Sequence, residues 1–108
     1  MVQEIASIEE FHQLINSDEK VVFDFYADWC GPCKFISPVF EALSEQYQGQ
    51  SIKFFKVDVD KLGDVSEEAG VRAMPTFQAY HKGSKIEELL GANKGGLEDL
   101  VQKLSASE

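Results

Sequence analysis

An α/β fold follows from three features of the sequence. Residues 20–27 form a nearly unbroken β-branched and aromatic run, the pattern of a strand buried on both faces of a sheet. Apolar residues at helical spacing precede and follow that run, so strands and helices alternate. The chain has 108 residues, enough to bury one core and too few for two, so a single domain over 1–108 is expected.

The elements can be taken in order. Residues 2–6 (VQEIA) read as a short edge strand. Ser7-Ile8-Glu9-Glu10 has the form of a capping box, with Ser7 as N-cap and Glu10 three residues on. The helix it opens carries Ile8, Phe11, Leu14 and Ile15 on one side, and Asn16-Ser17-Asp18 ends it. The strand at 20–27 follows, with Asp24 in its middle. By alternation Asp24 shares a face with Val22 and Tyr26, while Val21, Phe23 and Phe25 point the other way. Pro32 suits the first turn of the next helix, whose stripe is Ile36, Val39, Phe40, Leu43 and Tyr47. Pro38 should kink that helix by removing a backbone donor, and Gly49 is expected as its C′ residue. Residues 52–58 form the next strand, and a short helix over 62–69 stops at Gly70. This β-α-β-α-β order implies parallel strands joined by right-handed crossovers. Residues 76–81, a turn at Lys82-Gly83-Ser84 and residues 85–90 then read as an antiparallel hairpin. Leu97, Leu100, Val101 and Leu104 give the last helix its buried side.

Charge and composition exclude several functions. The net charge is −9 with Lys and Arg scattered, which leaves no basic footprint for nucleic acid or an anionic membrane. The charge reads instead as a device for solubility. No apolar run reaches the length of a membrane span. The opening MVQEIASIEEF has neither the basic and apolar regions of a secretory leader nor the arginines of a transit segment. There are two cysteines, three apart, so no disulfide scaffold is present and a reducing, cytoplasmic setting is expected.

Those cysteines, in Cys30-Gly31-Pro32-Cys33, sit at the carboxyl end of the central strand and the amino end of the next helix. Open α/β sheets place their chemistry there. A zinc site needs four ligands, usually as two pairs. The other candidates, His12 and His81, are not at ligand spacing, and neither is assigned a role. Iron–sulfur clusters also want four cysteines. As a staple the pair would restrain the unfolded chain by only about 2 kcal/mol. A CxxC in a βαβ setting reads as redox. Two thiols one helical turn apart can close a disulfide with little backbone movement, and the helix amino terminus stabilises a thiolate on the first. The thiolate is the attacking species, so Cys30 is the expected nucleophile. Cys33, one turn further in and more shielded, is expected to resolve a mixed disulfide. Trp29 is either a core residue or an exposed contact surface; its place in the break between strand and helix favours the surface. Asp24 is costly to bury ionised, and is either a hydrogen-bonded structural acid or a proton-handling group.

WCGPCK, preceded by FDFYAD, is followed by Lys56-Val57-Asp58-Val59-Asp60, by Met74-Pro75-Thr76-Phe77, and by Gly91-Ala92 ahead of the final helix. In this order the elements resemble the thioredoxin family, most closely its eukaryotic cytosolic members, over almost the whole chain. The resemblance implies the thioredoxin fold, a central five-stranded mixed sheet flanked by four helices. It implies general reduction of protein disulfides by an electron carrier that cycles between dithiol and disulfide, with no bound cofactor. Electrons would come from NADPH through thioredoxin reductase and pass to ribonucleotide reductase, peroxiredoxins and methionine sulfoxide reductases; a monomer is expected. Residue by residue, Asp24 would shuttle a proton to and from Cys33, with the Lys56 head nearby. A cis bond before Pro75 would face the cysteines and leave the Met74 backbone free to pair with an extended substrate segment. Trp29, Gly91 and Ala92 would complete that docking surface. Gly31 and Pro32 match the reductases; oxidases and isomerases of this fold typically have histidine before the second cysteine. Proline there removes a neighbouring cation and makes the couple more reducing. An oxidase or isomerase on the same fold, and a binding module in which the redox pair is incidental, remain as alternatives.

Overall fold

The apolar run becomes β2 (Lys20–Tyr26), the middle strand of a five-stranded sheet, in a computed structural model that describes residues 2–106. Met1, Ser107 and Glu108, the ends of the expected 1–108 domain, lie outside the described residues. The other elements are β1 (Gln3–Glu4), α1 (Ile8–Ile15), α2 (Gly31–Gln46), β3 (Ile52–Asp58), α3 (Gly63–Ala69), β4 (Thr76–His81), β5 (Ser84–Leu90) and α4 (Lys94–Ala106). The sheet order is β1-β3-β2-β4-β5. β1 and β2 run parallel to β3, whereas β4 runs antiparallel to both β2 and β5. This is the mixed sheet with four helices that the resemblance implied.

Alternation along β2 sorts the core into two layers. Val22 faces α2 and α4, where Ile36, Phe40, Leu97 and Leu100 pack on it with Phe54 and Phe77. Val21, Phe23 and Phe25 face the other way, onto Phe11 of α1, Val65 of α3, and Tyr80. Aromatic rings tie each layer: Phe11 and Phe23 lie 5.0 Å apart, and Phe40 lies 5.4 Å from Phe54. A strand whose side chains are buried on both sides cannot slip by one residue without exchanging its two faces. Asp24 is thereby fixed opposite Lys56 of β3 and Phe77 of β4.

Local signals set several boundaries. Ser7 Oγ accepts the Glu10 N–H (3.1 Å), and the Glu10 carboxylate reaches back to the N–H of Ala6, one residue before the cap (2.8 Å). Pro38 lies on the exposed side of α2, which continues through it to Gln46 as one element. There the carbonyl left without a donor can be hydrated.

Other boundaries differ from expectation. β1 covers only two residues, because its ladder to β3 consists of Gln3 with Phe55 and Glu4 with Lys56, after which Ile5 turns into the core. β2 stops at Tyr26, since Ala27 already belongs to the turn that its carbonyl closes with the Cys30 N–H (3.1 Å). The C-cap of α2 is Tyr47, which puts Gly49 two residues beyond the cap, not one. The hairpin turn has two residues, Lys82 and Gly83, because Ser84 already pairs with His81. Both turn residues have positive φ (54° and 86°), the geometry that matches the twist of a hairpin. A side chain at Gly83 would also meet Asn16 Oδ1 at 2.7 Å.

Candidate active site

Because β2 and β3 run parallel, the segments after their carboxyl ends emerge side by side. The Val59 N–H still bonds the Tyr26 carbonyl (3.0 Å) where the two chains part. Here β2 leads into α2, whose N-cap is Cys30 in extended backbone conformation. Cys30 Sγ accepts the Cys33 N–H at 3.1 Å, so the sulfur itself occupies the position of a capping oxygen. Gly31 and Pro32 fill the exposed first turn, where Pro32 loses no intrahelical bond. Cys30 and Cys33 form a disulfide with Cα atoms 5.3 Å apart, so the structure is that of the oxidised protein.

Shielding does not separate the two cysteines as expected. They are 5% and 4% exposed, because Ala27, Tyr26, Val59 and Met74 close over both. Capping does separate them. Only Cys30 faces the unpaired N–H groups of the first turn, which favour a thiolate.

Asp24 is 4% exposed, and its Oδ1 has no hydrogen-bond partner among the described residues. Burial pushes its carboxyl up from 3.8 to about 7, while the Lys56 ammonium pulls it back down. A cavity of about 150 Å³ connects it to the chemistry: Asp24, Cys33, Lys56, Lys34, Ser37 and Asp28 are all among its lining residues. That volume is large enough to admit water. The head of Lys56 also sits over the Tyr26 ring, 5.7 Å from its centre. Sequence reasoning missed Ser37, Lys34 and Asp28 here; Ser37, four residues past Cys33 on the same face of α2, was within reach of a helical-wheel argument.

The remaining candidates surround the disulfide. The Met74–Pro75 peptide is cis, and the Met74 side chain packs against the cysteines. The Gly91 N–H bonds the Pro75 carbonyl (2.8 Å), and Gly91 has φ +91°, which a side chain would strain. Ala92, next to it, is half-buried and rests against the edge of the core under α2 and α4. Trp29 is 69% exposed, a surface residue, with its Nε1–H donated to Asp60 Oδ2 (3.0 Å). Sequence reasoning also missed Asp60 and Val59, although both lie in the 56–60 segment, just past β3. His12 pairs with Glu68 (2.9 Å) and His81 with the Asp18 carbonyl (3.0 Å), both on the surface. Among the described residues no group of three or more His, Cys, Asp or Glu side chains could hold a metal ion. No helix among them is long and apolar enough to cross a membrane.

A capped sulfur, a second sulfur one turn on and a buried carboxyl sharing a cavity with it make up a dithiol–disulfide exchange centre. On this α/β sheet they define a thiol–disulfide oxidoreductase. The Thioredoxin family model matches residues 2–105. A thioredoxin of Coprinus comatus is 57% identical over 103 residues, which cover 95% of this chain and 97% of that one. The crystal structure of Malassezia sympodialis thioredoxin matches with a TM-score of 0.94 at 45% identity, over 97% of this chain and 94% of that one. A further match concerns thiol resolving in a yeast mitochondrial 1-Cys peroxiredoxin via glutathione/thioredoxin systems. It has a TM-score of 0.88 at 37% identity, over 94% of each chain. The chain belongs to the thioredoxin family, and the eukaryotic type fits it. It is a protein-disulfide oxidoreductase that exchanges its Cys30–Cys33 pair between dithiol and disulfide, and disulfide-bearing proteins are its substrates.

Proposed function

We propose that the exchange runs in the reducing direction, with the whole chain working as one domain. The Cys30 thiolate attacks one sulfur of a substrate disulfide, forming a mixed disulfide and releasing the other sulfur as thiolate. Asp24 takes the proton of the Cys33 thiol, directly or through water in the shared cavity. The Cys33 thiolate then attacks Cys30 Sγ, closing the Cys30–Cys33 disulfide and releasing the second substrate thiol. Two electrons have passed to the substrate. When the disulfide is reduced again, Asp24 returns the proton to Cys33. Gly31, Pro32 and Lys56 tune this couple and its acid. Trp29, Met74, Pro75, Gly91 and Ala92 form the surface on which an extended substrate segment docks.

The observation that carries this reading is the Cys33 N–H held on Cys30 Sγ, which supports Cys30 as the sulfur whose thiolate is stabilised. Family membership supports the wider setting: NADPH as electron source through thioredoxin reductase, the cytoplasm as location, and a monomer as the working form. Ribonucleotide reductase, peroxiredoxins and methionine sulfoxide reductases are the proposed targets, and the yeast neighbour's link to a peroxiredoxin supports the second of them. A coupled assay tests the proposal. With NADPH, a thioredoxin reductase and insulin, NADPH oxidation should depend on this protein, and insulin should precipitate as its chains separate. Insulin reduced no faster than by reductase alone would overturn it.

A further inference from the structure

Asp58 takes no part in the exchange, yet its carboxylate is nearly fully buried at the end of β3, opposite Tyr26 of β2. A buried acid is tolerated where N–H groups satisfy it. Asp58 Oδ1 accepts two, from Asp60 (3.0 Å) and Lys61 (3.4 Å), and the Asp58 carbonyl accepts a third, from Leu62 (2.9 Å). Side chain and main chain together therefore fix the turn that links β3 to α3. Two residues into that turn, Asp60 Oδ2 accepts the indole N–H of Trp29. An indole so exposed gains little orientation from packing, so this hydrogen bond sets the ring's direction.

We propose that Asp58 is a positioning residue: by tying the turn at 58–61 it places Asp60 so that the Trp29 ring is held in the orientation that substrate meets. This rests on the proposed role of Trp29 in docking. An untied turn lets the Asp60 carboxylate exchange the indole for water, and the ring then samples several rotamers before each encounter. The cost appears in substrate binding, because ordering the ring becomes part of docking.

Trp29 is the only tryptophan of the chain, so its fluorescence reads the ring directly. In Asp58→Ala, acrylamide quenching of the oxidised protein should rise about twofold. KM for insulin should rise roughly fivefold, the size of one lost net hydrogen bond, with the change on KM and not on kcat. Asp60→Ala should do the same, and the double variant should be no worse than either single one, because both act through one contact. Asp58→Asn keeps the Oδ1 acceptor and should restore both readings. Multiplying KM effects in the double variant, or wild-type quenching in Asp58→Ala, would overturn the proposal. If Asp58→Ala does not fold, Asp58→Glu moves the acceptor off its two N–H groups and should raise quenching equally; wild-type quenching there contradicts the proposal. Trp29→Ala separates the two readings. Wild-type KM in that variant removes Trp29 from docking, whereas raised KM with no effect of Asp58→Ala removes only the positioning role.

Discussion

Cys33→Ser should stop turnover and leave the protein joined to its substrate. Cys30, the sulfur that accepts the Cys33 N–H, still attacks and forms the mixed disulfide. Serine at position 33 cannot displace the substrate, because its hydroxyl is a far weaker nucleophile and alkoxide a poor match for the step. The adduct should therefore accumulate, run as a larger species on a non-reducing gel with oxidised insulin, and dissolve in dithiothreitol. Cys30→Ser should form almost none and lose at least about 10³-fold in insulin reduction, the scale on which enzymes respond to losing a nucleophile. The two cysteines are equally buried, so exposure predicts no asymmetry. An adduct on Cys30→Ser and none on Cys33→Ser would reverse the assignment and remove the meaning given to the cap.

Asp24→Asn should stabilise the oxidised protein at pH 8 and slow its chemistry. The folded carboxyl titrates at about 7 against 3.8 for the ordinary group, and burial is the main cause. A raised folded value means the stability contribution is complete below about 4. It is lost as the pH climbs from there to about 7, while the unfolded chain releases its proton and the folded one still holds it. Over that window the loss amounts to roughly 4 kcal/mol. Asparagine keeps the shape and removes the charge, at the cost of a buried amide of about 1–3 kcal/mol. Urea unfolding should thus show the variant more stable than wild type at pH 8 by about 1–3 kcal/mol. The order should reverse near pH 3, where wild-type Asp24 is largely protonated in both states. Insulin reduction at pH 7 should slow between about 10- and 100-fold, the low end of general-base effects, because the cavity also admits water. A variant less stable than wild type at pH 8 would make Asp24 a structural acid. Unchanged turnover would remove its proton-transfer role.

Residues whose environment follows from their own strand or helix were legible in the sequence. The run in β2 announced its burial on both faces, and Asp24 stood out because nothing in an apolar strand excuses an acid. Cys30 at a cap followed from a strand, a break and Pro32. What escaped depends on pieces of chain brought together by the fold. The hold of Asp60 on Trp29 spans 31 residues, and it becomes visible only once β2 and β3 are known to be neighbours. The equal burial of the cysteines arises from Val59 and Met74, which arrive from separate segments, and not from position along α2. The two-residue hairpin turn is hard to read from sequence, because lysine is an uncommon choice at positive φ.

The direction of electron flow is tested most directly by the reduction potential of the Cys30–Cys33 couple. Trp29 emission can follow the oxidised fraction across a series of glutathione buffers. With proline and not histidine before Cys33, the value should fall at the reducing level of the thioredoxin family, about −270 mV, where protein disulfides accept its electrons. A value at or above about −180 mV, the level of protein disulfide isomerase, would contradict the reductase reading.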